Sequence, residues 1–64
     1  MTVKIITATG NHYVEVDREG GTTTMCQERF IAYIAKGRAQ GGYLVNDRTF
    51  VPLEAVQQIM VDKW

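Results

Sequence analysis

Cys26 and His12 are the only cysteine and the only histidine in this 64-residue sequence, and they are the side chains best suited to nucleophilic chemistry. Cys26 falls at the second position of an expected helix, where unpaired N–H groups and the helix dipole lower a thiol's pKa. The same position lies on the apolar arc of that helix, and a buried cysteine behaves as a small hydrophobe. His12 sits beside an expected turn, exposed or stacked on a strand. A thiol–imidazole pair needs the helix start and the hairpin tip to meet, and a third group to orient the base. Nothing in the spacing brings them together. The reading is therefore of a protein that is not an enzyme and carries no cofactor, with too few Cys and His residues for a structural metal site.

Charged residues offer two further candidates. Glu15, Asp17 and Glu19 alternate, so an extended chain lines them up on one face with Tyr13. Such a stripe either meets a basic partner or is a solvated strand face. These four residues are the candidate partner-binding set. Lys36, Arg38 and Arg48 suggest the alternative, a small nucleic-acid-associated regulator, although helix-dipole compensation also explains cations there. Seven basic and seven acidic residues cancel to a formal charge of zero, which argues against holding nucleic acid by bulk electrostatics. Gly41-Gly42 lacks the Lys-Ser/Thr that follows a phosphate loop and leads into a strand.

The elements that must position these residues begin with a helix in the stretch 22–42. At roughly 100° per residue, Cys26, Phe30, Ile31, Tyr33 and Ile34 share one side. Thr24 with Gln27 makes a capping box, Lys36 sits in the last turn, and Gly37 supplies a left-handed end after about three turns. Before the helix, residues 3–16 read as a hairpin rich in β-branched side chains, with Gly10-Asn11 as its turn. That register opposes Ile5 with Val16 and puts Val3, Ile5, Val14 and Val16 on one face. Residues 17–21 form a polar turn into the helix. After it, Tyr43-Leu44-Val45 and Thr49-Phe50-Val51 flank a turn at Asn46-Asp47, which opposes Tyr43 with Phe50. In the tail, Leu53, Val56, Ile59, Met60 and Trp64 have helical spacing, but the β-branched pair Ile59 and Val61 favours one turn over 53–57 and a strand over 58–61. The fold class is α+β: an antiparallel sheet of two hairpins, with a fifth C-terminal strand, and one amphipathic helix packed on one face of a single domain.

The segment from Val45 to Val56 resembles the strand–turn–strand–Pro-Leu motif of bacterial stalk domains in secreted copper amine oxidase-like proteins. Glu54 stands where those domains carry Arg, and their other segments are missing here. The short helix, Lys36-Gly37, Gly41-Gly42, the hairpin and the closing Val56-x-x-Ile59 are similar to small phage and prophage accessory proteins of Gram-positive bacteria. That resemblance implies a protein-binding accessory or anti-defence factor acting on a host protein.

A chain of this length buries only about 60% of the surface its unfolded form exposes, and no disulfide or zinc site is available to compensate. No apolar run is long enough to span a bilayer and no signal-peptide pattern opens the sequence, so a cytoplasmic protein with no membrane association is expected. Self-association is the remaining route to burial. A homodimer with Ile59, Met60 and Trp64 at its interface is expected, alongside binding to another protein.

Overall fold

A computed structural model describes residues 1–17 and 21–64. The elements run β1 (Thr2–Thr7), β2 (Gly10–Glu15), α1 (Thr23–Gln40), β3 (Gly42–Asn46), β4 (Thr49–Pro52), a 3₁₀ turn (Leu53–Ala55) and β5 (Val56–Lys63). The fold is α+β, with a helix packed on antiparallel sheet. The strands divide between a three-stranded sheet of order β2-β1-β5 and a two-stranded sheet of β3 and β4. The tail is the turn plus strand expected, not a helix.

β1 and β2 form the expected hairpin, but its turn is Ala8-Thr9 rather than Gly10-Asn11. Ile5 pairs with His12 and Val3 with Val14. Gly10 does use its conformational freedom, at φ 153°, though as the first residue of β2 and not inside the turn. The Thr7 hydroxyl donates to the Gly10 carbonyl at 2.7 Å and fastens the turn. The slip relative to the expected register is four residues. Because side chains alternate with a period of two, an even slip leaves every residue on its expected face. Val3 and Ile5 are accordingly fully buried. Val16 lies beyond the strand, its N–H donating to the Met1 carbonyl at 3.0 Å.

The helix starts earlier and ends later than its sequence markers. Thr22, not Thr24, is the N-cap, its hydroxyl accepting from the Met25 N–H at 3.2 Å. Gly37 does not end the helix. Arg38, Ala39 and Gln40 propagate it, and Gly41 closes it in the left-handed conformation at φ 82°. α1 therefore has 18 residues, about five turns. Cys26 is consequently the fourth helical residue, and its N–H is already bonded to the Thr22 carbonyl at 3.0 Å.

The second hairpin turns at Asp47-Arg48, the Asn46 side-chain oxygen accepting from the Arg48 N–H at 2.8 Å. Tyr43 faces Val51 and not Phe50, while Leu44 faces Phe50. Here the slip is a single residue, which reverses the faces. Tyr43 and Val51 join the core, and Leu44 and Phe50 turn outward.

The core gathers Met1, Val3, Ile5, Cys26, Tyr43 and Val51 between the larger sheet, α1 and the β3–β4 hairpin. Phe30, Tyr33, Leu53, Val56, Ile59 and Val61 pack around it. The Leu53 N–H donates to the Gly41 carbonyl at 3.0 Å and ties the 3₁₀ turn to the end of the helix.

Candidate interaction surface

Tyr43 organises the second half of the helix. Its ring lies directly on α1 at Gly37, so closely that a Cβ there would stand 2.0 Å from Tyr43 Cε1. Only glycine permits that approach, at a helix-propensity cost of about 1 kcal/mol relative to alanine. The Tyr43 hydroxyl donates to the Ile34 carbonyl at 3.0 Å. The Tyr33 ring leans against it, centroids 5.2 Å apart and planes tilted by 38°. Burial raises the pKa of both phenols above the ordinary tyrosine value. For Tyr33 the neighbouring Tyr43 adds to the rise, and for Tyr43 the Arg38 charge opposes it. The Tyr33 hydroxyl is buried without a hydrogen-bond partner among the described residues.

A second close approach places Phe50 across the backbone of Gly42, where a Cβ would meet Phe50 Cζ at 2.7 Å and the Val51 carbonyl at 2.4 Å. Phe50 and its cross-strand neighbour Leu44 then stand side by side on the outward face of the hairpin, 49% and 60% exposed. Between them and α1 runs a groove of about 540 Å³. Tyr33, Gly37 and Tyr43 line it from within, Leu44 and Phe50 from the hairpin, and Lys36 and Gln40 from the helix. The expected register set Phe50 opposite Tyr43. The bulge at Val45 is what turns it out, and no residue pattern announces that bulge.

The residues singled out in the sequence are dispersed. Tyr13 is 54% exposed on the outer face of the larger sheet, in one row with Lys4 and Met60. The Glu15 carboxylate accepts from the Met1 amino group at 2.9 Å and from the Thr2 hydroxyl at 3.0 Å. Asp17 pairs with Arg29 on α1. Glu19 lies outside the described residues. Lys36 lines the groove beside Phe50, Arg38 lines grooves on the other flank of α1, and Arg48 sits in the β3–β4 turn. Ile59 packs against the core, Met60 points to the outer face, and Trp64 follows β5 at 61% exposure.

Cys26 is buried in the core, whereas His12 lines a groove of about 360 Å³ between the β1–β2 turn and β4. Among the described residues no three His, Cys, Asp or Glu side chains gather as a metal site, and no helix is long and apolar enough to cross a membrane. Compared with protein families, curated proteins and solved structures, the chain matches none.

Proposed function

We propose that this chain is a small, non-catalytic interaction module that binds another protein through the groove between α1 and the outward face of β3–β4. One observation carries the reading: Leu44 and Phe50 are both largely exposed and directly opposed on a two-stranded sheet, at the rim of that groove. Two adjacent large apolar side chains, each about half in water, forgo burial worth about 1 kcal/mol each, a surface feature typical of a docking site. The Lys36 ammonium on the facing rim favours an occupant with an apolar anchor next to an acidic residue. A host-protein target in the cytoplasm, as the resemblance to phage accessory proteins implies, is the partner class this reading carries.

Partner capture from host extract, comparing the native chain with Leu44→Asp/Phe50→Asp, tests it. Circular dichroism should show the variant folded, with a melting temperature lowered by the two opposed carboxylates and by the lost packing of Phe50 on Gly42. Loss of the captured partner in the double variant is expected. Retention of every partner by a folded double variant rules the groove out.

A further inference from the structure

We infer that the opposite flank of the molecule, formed by the outer edge of β5 and the neighbouring stripe of α1, is the site where a second copy of this chain docks. β5 is one of the two edge strands of the order β2-β1-β5, and no strand pairs with its outer side among the described residues. At 8 residues it is the longest strand. Edge strands are normally protected by lysines, prolines or covering loops. Val56-Gln57-Gln58-Ile59-Met60-Val61 contains neither charge nor proline, and Asp62 and Lys63 come only at its end.

The helix is open on the same side. Ile31, Ile34, Ala35 and Arg38 line a groove of about 440 Å³, and Ile31 is 65% exposed. Ile34 and Arg38 also line an adjoining groove of about 300 Å³ together with Val56, Gln58 and Ile59 of β5. The uncovered helix stripe thus borders the unpaired strand edge, and one occupant covers both.

A second copy fits this pair of features. A two-fold axis perpendicular to the sheet, passing near Ile59 and Met60, sets β5 antiparallel to its counterpart and keeps both helices on one side. The result is a six-stranded sheet, β2-β1-β5-β5-β1-β2, whose two α1 stripes run antiparallel to each other. Its faces agree only when residues of like parity oppose, so either Ile59 or Met60 faces itself across the axis. The only charge on the stripe, Arg38, then lies towards the partner copy's Ile31, which its aliphatic stem can cover. Zero formal net charge removes any bulk repulsion between copies.

Sedimentation equilibrium of the full chain at low micromolar concentration, combined with amide hydrogen exchange, tests the interface. The expected species has twice the 7.2 kDa chain mass, and the outward amides of β5 exchange slowly in it. Ile31→Lys, at a position exposed in the monomer, should weaken association at least about tenfold by setting a second cation against the partner copy's Arg38, and should release those amides. Leu44→Glu, on the other flank, should leave association unchanged. A monomer with freely exchanging β5 amides overturns the inference, and so does a dimer that survives Ile31→Lys or is broken by Leu44→Glu. Partner capture depends on Leu44 and Phe50 and not on Ile31, so the two proposals fail separately.

Discussion

Tyr33 and Tyr43 lean their rings together, yet their hydroxyls are in opposite circumstances. The Tyr43 hydroxyl has the Ile34 carbonyl, and the Tyr33 hydroxyl has no partner among the described residues. Tyr43→Phe should therefore cost about 1 kcal/mol, the net worth of a neutral hydrogen bond, whereas Tyr33→Phe should be neutral or slightly stabilising because it deletes a desolvated polar atom. Urea denaturation of the two variants separates these outcomes, and an equal loss in both would contradict the assignment. The same phenols set an alkaline limit. Burial holds both pKa values above the ordinary tyrosine range, so the folded state keeps protons that the unfolded chain releases near pH 10. Their stabilisation is complete below that pH and is lost as pH rises towards the folded values. Melting temperature from pH 8 to 11 should be level and then fall, with a shallower fall in Tyr33→Phe.

At the level of elements, the glycine inside α1 is decisive. Gly37→Ala improves helix propensity by about 1 kcal/mol, but its Cβ would occupy the space of the Tyr43 ring. Tyr43 is only 2% exposed, and shifting its ring would break the hydrogen bond to the Ile34 carbonyl. A net destabilisation of about 2 kcal/mol is expected, the usual scale for an overpacked core. A variant more stable than the native protein would show that the ring can shift. This position also explains what the sequence disclosed and what it withheld. Each element was legible from local signals: β-branched residues for the strands, the apolar arc for α1, and the pair Ile59 and Val61 for a turn followed by β5. Gly37 looked like a helix end because its long-range contact with Tyr43 is invisible in one dimension. The first hairpin survived a misplaced turn since its slip was even. The second did not: its odd slip took Phe50 off the face of Tyr43 and set it beside Leu44.

The whole molecule exposes 4503 Å², somewhat above the roughly 4,100 Å² that size scaling gives for a folded monomer of this mass. Two patches of its uncovered apolar surface lie on opposite flanks of one helix: Leu44 and Phe50 on one side, Ile31 with the β5 edge on the other. The two proposed contacts therefore use separate surfaces, and neither obstructs the other. The pairing of β1 with β5 has a further consequence, in time and not in space. Ile5 and Ile59 are neighbours across the sheet though 54 positions apart in the chain. Bringing them together costs about 2 kcal/mol more loop-closure entropy than forming the β1–β2 hairpin. The hairpins and α1 can organise early, while the larger sheet waits for its third strand. Refolding kinetics should then show Ile59→Val accelerating unfolding with little effect on the folding rate, and Val14→Ala slowing folding. During synthesis, β1 keeps one side unpaired until β5 has left the ribosome, and a chain stalled before that point offers the same open edge to any neighbouring nascent strand.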